Sequence, residues 1–353
     1  MRMDFPLAVT IAVSALTAMP RLAVSAPPLP HAPKNASDGA RPANAGVTRI
    51  ILLGTDGGPR AYAARAEPGN ILAVDGTSYL IDAGPGVERQ IALAGFKLGG
   101  IRTIFITHHH IDHDGGLPAL MAMTWFDAAW DDQTPPPVQI YGPPATQFLA
   151  RAALDYLSVS ERIFRAGVPA LPPAAASFQA HDIHGNGELY RDGRVTVTAV
   201  ENTHFHFKSG SPATGQDMSF SYRFDTSHGS VVFTGDTGPS QAVTKLARNA
   251  AVLVSEVCLC DSPASVHPTD TSAAGKRAAA AMDKEEDLHM RNEHLTPEDV
   301  GRLAAAAHVK VVILTHFVPG DGKADPSRFT AGVMKYFSGP VIPGKDLLEY
   351  DIR

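Results

Sequence analysis

The sequence predicts a layered α/β fold whose strand ends carry the chemistry, and three observations predict it. Apolar strand-like runs at Ile101–Ile106, Val195–Val200, Val231–Phe233, Val252–Val257 and Val309–Leu314 alternate with stretches of helical spacing. Four such segments run into a candidate metal ligand: His108 and His110, His204, Asp236 and His316. The run Thr107-His108-His109-His110-Ile111-Asp112-His113 places four potential ligands within six positions. Ligand sites of layered α/β proteins lie outside strand ends, so the second observation supports the first.

Taken in order, the chain opens on Met1–Phe5 and an apolar stretch from Leu7 to Met19, with small residues at Val24-Ser25-Ala26. This reads as an export signal over 1–26, giving a periplasmic or secreted protein that meets no membrane once it is cleaved. Residues 27–46 are rich in Pro, Ala, Asn and Ser and read as a disordered linker. Order is expected from Val47. Val47–Gly54, Ile71–Val74 and Tyr79–Ile81 read as strands, with Asp75-Gly76-Thr77 as a hairpin turn. Asp82-Ala83-Gly84-Pro85-Gly86 breaks the third strand; alone, Asp82 would be a turn cap. Val87–Gly95 reads as a helix, and Ile101–Ile106 delivers the histidine box. A helix follows from Leu117, with Pro118 in its first turn.

Farther on, Pro135–Tyr141 reads as a strand, Ala145–Leu157 as a helix and Val168–Ser177 as a connection. Val195–Val200 shows strand alternation and runs towards His204. Phe220–Phe224 and Val231–Phe233 read as paired strands, the latter entering Thr234-Gly235-Asp236. Val252–Val257 is a buried strand that carries Glu256 inside an apolar run, where a carboxylate requires a partner or neutralisation. Residues 261–292 are polar and alanine-rich, and read as a lid or loop. Thr296 and Pro297 open a helix through Ala307 as N-cap and first residue. Val309–Leu314 is the last expected buried strand, ending at Thr315-His316.

The 353 residues and 44% hydrophobic content allow one large domain or two small ones. The formal charge of -6, or -7 without residues 1–26, offers nothing to a polyanion on electrostatic grounds. Past the opening stretch no apolar run reaches the roughly 18 residues of a spanning helix. Cys258 and Cys260, the only cysteines, exclude a disulfide framework and read as buried thiols on one strand face.

In an extended segment His108 and His110 share a face while His109 points away. Asp112 and His113 follow where the chain turns, so a second imidazole/carboxylate pair stands beside the first. Repetition of ligands at four strand ends argues for a two-metal site, favouring zinc, with iron or manganese open. Two ions about 3.5–4 Å apart would deprotonate a water and stabilise attacking and leaving oxygens. His206, two past His204, could face the same pocket.

The box Thr107-His108-His109-His110-Ile111-Asp112-His113 resembles the signature of the metallo-β-lactamase superfamily. The later boxes resemble its branch of tRNA 3'-processing endonucleases (the tRNase Z group), small phosphodiesterases and zinc-dependent arylsulfatases. The resemblance runs from Val47 to the C-terminus. It implies one domain, 47–353, folded as a four-layer αββα sandwich. It also implies that His108, His110 and His204 hold one metal and Asp112, His113 and His316 the other, with Asp236 bridging and Asp82 supporting from behind. His294 resembles the histidine that protonates the leaving group in this branch, and Glu256 the glutamate paired with it; a neighbouring carboxylate would keep that imidazole charged.

No basic, glycine-rich arm of the tRNA-processing kind is seen between Ala145 and Val195. With the acidic charge, this makes nucleic acid an unlikely partner. The expectation is therefore an exported dinuclear hydrolase, a possible homodimer, cleaving a small phosphodiester or an aryl sulfate ester, with Asp112 assisting a metal-bridged hydroxide and His294 with Glu256 acting as acid. The alternatives are a tRNA 3'-processing endoribonuclease, a lactone or thioester hydrolase, and a non-hydrolytic iron oxygenase of the same fold.

Overall fold

Runs such as Ile50-Ile51-Leu52-Leu53, apolar at every position, suit a sheet covered on both faces, and the computed structural model contains two such sheets. It describes residues 46–128, 135–207, 210–260 and 290–353, all within one compact unit, Gly39–Arg353. The expected export signal, the linker up to residue 45 and residues 261–289 of the lid or loop expected over 261–292 lie outside the described residues, and residues 290–292 are helical.

The first sheet contains β1 (Thr48–Gly54), β2 (Gly69–Val74), β3 (Thr77–Ile81), β4 (Thr103–Phe105), β5 (Val138–Gly142) and β6 (Phe178–Asp182). The second contains β7 (Gly187–Arg191), β8 (Val195–Glu201), β9 (Phe220–Thr226), β10 (Gly229–Phe233), β11 (Val252–Cys258), β12 (Val311–Val318) and β13 (Val341–Pro343). β14 (Leu348–Ile352) returns to the first sheet, whose order is β14-β1-β2-β3-β4-β5-β6; the second runs β13-β12-β11-β10-β9-β8-β7. Each sheet holds seven strands among the described residues. The helices are α1 (Val87–Leu93), α2 (Ile111–Asp114), α3 (Leu117–Ala128), α4 (Thr146–Gly167), α5 (Gln241–Leu246), α6 (Pro297–Ala307) and α7 (Pro326–Met334).

Side-chain alternation divides the apolar residues among three cores. Ile51, Leu53, Ile71 and Ile104 pack against Ile91 of α1, Trp125 of α3 and Leu157 of α4. Their neighbours Ile50, Leu52, Leu72 and Phe105 face the opposite way and meet Val197, Tyr222, Phe224 and Val254 of the second sheet. On the far side Val232, Leu253, Val312 and Leu314 pack against Val243 of α5, Val300 of α6 and Val333 of α7. The result is a single four-layer αββα sandwich. Among the described residues no helix is long and apolar enough to cross a membrane.

Several expectations require correction. α4 continues to Gly167 rather than ending at Leu157, because Phe164 packs on Trp125 and Arg165 pairs with Glu161 one turn back. β12 is the last buried strand, but two partly exposed strands not expected follow it, and β14 pairs with β1 through Thr48↔Ile352 to Leu52↔Leu348. β6 and β7 were not expected, and the exposure of β7 explains why it lacks an apolar signature. The cysteines are buried as expected but are not thiols: Cys258 and Cys260 are disulfide-bonded, with Cα atoms 5.1 Å apart. The chain leaves β11 at Cys258, so the pair lies at a strand end.

Candidate metal centre

The first half of the site is built where parallel strands β3 and β4 end. Asp82 follows β3 in a left-handed conformation, φ 62°, and its N–H donates to Phe105 O at 2.8 Å. Its Oδ1 accepts the Thr107 N–H at 2.7 Å and the Thr107 hydroxyl at 3.0 Å, while Oδ2 lies 2.9 Å from His113 Nδ1. Asp82 thus ties the start of the histidine box to its end. The segment after β4 is extended as far as His110, which caps α2, and that short helix presents Asp112 and His113. Gly58 passes so close that a Cβ there would lie 2.4 Å from Asp112 Cβ.

The second sheet supplies the other half. Beyond β8, Asn202 Oδ1 accepts the His204 N–H at 3.1 Å, and His204 Nδ1 lies 2.9 Å from the Glu293 carbonyl oxygen, leaving Nε2 directed at the site. Asp236 follows β10. In β12 the ladder with β11 steps from Ser255↔Leu314 to Val257↔Phe317, so Thr315 and His316 together oppose Glu256 alone. This is a bulge, and His316 sits in it at φ 44°. The extra residue turns His316 into the site beside Glu256. Glu256 Oε1 accepts the Thr237 N–H, and Oε2 lies 2.6 Å from His294 Nδ1. His294 stands just before α6, whose first turn is capped by the Thr296 hydroxyl.

Three groups of donors gather here, each with one ligand atom per residue within 4.8 Å of the others: His108/His110/His204, Asp112/His113/Asp236/His316, and Asp236/Glu256/His294/His316. His110 Nδ1 and His204 Nε2 approach to 3.1 Å. Asp236 adjoins both halves: its Oδ2 is 4.0 Å from His108 Nε2 and from His204 Nε2 and 3.1 Å from His316 Nε2, and its Oδ1 is 3.4 Å from His113 Nε2. Asp112 Oδ2 is 3.5 Å from both His113 Nε2 and His316 Nε2. His108 Nε2, His113 Nε2, His316 Nε2 and Asp236 Oδ1 are buried without a hydrogen-bond partner. Orphaned polar atoms converging in this way are what a pair of cations would satisfy, and the donor set fits them.

Burial pushes the His108 and His204 imidazoles well below their ordinary pKa, so both are neutral donors. Burial opposes charge on His294 as well, but the Glu256 carboxylate outweighs it and raises that imidazole. For Asp236 burial is outweighed by the His316 and His113 imidazoles, which hold the carboxyl well below its ordinary range.

His108, His110, Asp112, His113, His204, Asp236, Glu256, His294 and His316 lie within this cluster, with Asp82 directly behind it. His109 turns away, with Nδ1 2.9 Å from Asp114 Oδ2 and Nε2 3.1 Å from the Thr146 hydroxyl. His206 does not join the donors; it is exposed, 4.0 Å from Glu293 Oε1. The sequence reading passes over three neighbours of the centre. Asp56 and Glu67 are buried beside it, and burial raises their carboxyls to about 6 and about 7. Asp56 follows β1 in Gly54-Thr55-Asp56-Gly57-Gly58, the same carboxylate-before-glycine signal that marks Asp82. Phe205 packs on three of the imidazoles, and its place next to His204 was the available clue.

Strand ends that hold two adjoining donor clusters at the rim of an αββα sandwich are the architecture of metallo-β-lactamase-type hydrolases with a dinuclear centre. The Beta-lactamase superfamily domain matches residues 77–317, and the chain belongs to that superfamily. Curated relatives similar to it over most of its length are ribonucleases Z. Ribonuclease Z of Mycobacterium avium is 29% identical over 304 residues, covering 85% of this chain and 97% of that protein. That of Mycobacterium bovis is 26% identical over 309 residues, covering 87% and 99%. Among solved structures, human tRNase Z, short form, shares the fold with a TM-score of 0.57 and 20% identity, over 86% of this chain and 99% of that one.

These relatives overturn the expectation of an enzyme for a small phosphodiester or aryl sulfate ester, and with it the exclusion of nucleic acid. The error is physical: net charge is a property of the whole surface, screened beyond about 10 Å at 0.1 M salt, and a whole-chain count says nothing of the charge at one site.

Proposed function

We propose that this protein is an endoribonuclease of the ribonuclease Z type, cutting a phosphodiester bond in tRNA precursors with two zinc ions. The carrying observation is the Glu256–His294 pair, 2.6 Å apart, with His294 Nδ1 3.9 Å from the shared Asp236. It supplies a poised acid where a ribose oxygen would depart, and the relatives with the same span are ribonucleases Z.

In this reading His108, His110 and His204 hold one ion, Asp112, His113 and His316 the other, and Asp236 lies between. Imidazole and carboxylate donors without thiolate suit zinc in a hydrolytic site. The bound ions supply a nucleophile of hydroxide strength and positive charge for the phosphate. The chain's own residues do the rest. Asp82 and Thr107 fix the His113 tautomer and the register of the box. The Thr237 N–H pins Glu256, which holds His294 protonated near neutral pH so that it can hand its proton to the leaving oxygen.

The test is cleavage of a precursor tRNA carrying a 3' trailer by the zinc-loaded protein, with His294→Ala alongside. The wild type should release the trailer, and the variant should lose about 10²–10⁴-fold in kcat while keeping two metals per chain. A wild type that holds two metals and leaves the RNA intact would overturn the proposal.

A further inference from the structure

We infer that Phe205 and Phe207 form a stacking platform for a nucleobase next to the scissile phosphate; this rests on the nuclease reading and names how the substrate is seated. Beyond β8 the rings of Phe205 and Phe207 meet, while the His206 imidazole lies 4.0 Å from Glu293 Oε1. The Phe205 ring centroid lies 5.2 Å from that of His110, 5.0 Å from His204 and 5.8 Å from His108, against all three imidazoles of one donor group. Phe207 packs tilted against Phe205 at 5.1 Å with an interplanar angle of 31°, and 37% of it is exposed. A row of rings therefore leads from the metal ligands into solvent.

Phe205 is explained by packing on the histidines, and Phe207 extends that apolar surface outward. Its continuity with the donor group decides the occupant. A phosphate drawn to that group brings its nucleoside alongside, and the base is the part with a flat apolar face for a phenyl ring. Stacking of this kind serves any base, because each has a π-face.

The experiment uses the zinc-loaded full chain and 2-aminopurine riboside 5'-monophosphate, whose fluorescence is quenched on stacking, with ribose 5-phosphate as the base-free control. Each protein is checked for two metals per chain. For Phe207→Ala the Kd of the fluorescent nucleotide should rise roughly five- to hundredfold with loss of quenching, and Phe207→Trp should restore both. The ratio of variant to wild-type Kd should be at least about fivefold smaller for ribose 5-phosphate, since one stacked base carries the difference. Binding without quenching in the wild type, or equal weakening of both ligands in Phe207→Ala, would overturn the platform. The precursor-tRNA assay separates the two ideas: stacking without RNA cleavage defeats the nuclease reading alone, and cleavage without stacking defeats the platform alone.

Discussion

At the scale of single residues, support for the site comes from groups that touch no substrate. Asp82 is fixed at φ 62° with hydrogen bonds to both the N–H and hydroxyl of Thr107 and to His113. Asp82→Asn keeps the shape but places an amide where His113 Nδ1–H has to donate. Zinc affinity should fall about 10–100-fold, as measured by competition with a chromophoric chelator; unchanged affinity would mean that Thr107 alone orders the box. Gly58→Ala tests a steric demand instead. Its Cβ would overlap Asp112, so the loop or the carboxylate has to shift, at about 1–3 kcal/mol. Precursor-tRNA cleavage should drop by more than about tenfold, the equivalent of 1.4 kcal/mol, while circular dichroism remains that of the wild type.

At the scale of elements, α6 and the β7–β8 turn offer checks on stability. Removal of the Thr296 cap in Thr296→Ala should cost about 1 kcal/mol in urea unfolding. Asp192 accepts hydrogen bonds from the Tyr79 and Tyr190 hydroxyls and from the Arg194 and Val195 N–H groups. Burial works against its ionisation, but these donors prevail and lower its pKa. A depressed carboxylate stabilises the fold above its unfolded pKa, about 3.9, and loses that contribution as pH falls through the folded value. Asp192→Asn should therefore be less stable than wild type at pH 7, and the gap between their melting temperatures should close below about pH 4. A gap independent of pH would refute the ionic origin. Elements were legible where the pattern was strong. The Asp75-Gly76 hairpin, with φ of 44° and 92°, the α6 cap and the strand-end ligands all follow from local chemistry. The bulge in β12 was not legible. Val311–Val318 is apolar on both faces, so the inserted residue breaks no visible alternation, although Ile313 faces the other sheet and Phe317 faces the helices. The full extent of α4 depended on a contact between Phe164 and Trp125, which no local pattern announces.

At the scale of the molecule, the metals would join the two sheets, since their donors follow β4 in one, and in the other follow β8 and β10 or sit in the bulge of β12. Chelation should lower the melting temperature, because a ligand bound only by the folded state adds about 2.7 kcal/mol at a hundred times its Kd; an unchanged transition after verified metal removal would show that the sheets hold without it. The substrate class was the least legible property, since composition averages a surface whose chemistry is concentrated at a few strand ends. The pairing of β14 with β1 carries a different implication. Arg49 meets Asp351, 302 positions away, so β1 lies between β2 and a partner made long after it. During synthesis the chain has to carry β1 as an open apolar edge until nearly all of the described fold has left the ribosome, and such an edge invites pairing with other chains. Removal of Leu348–Arg353 should make that passing hazard permanent, sending the protein into aggregates although no residue of the metal centre has been touched.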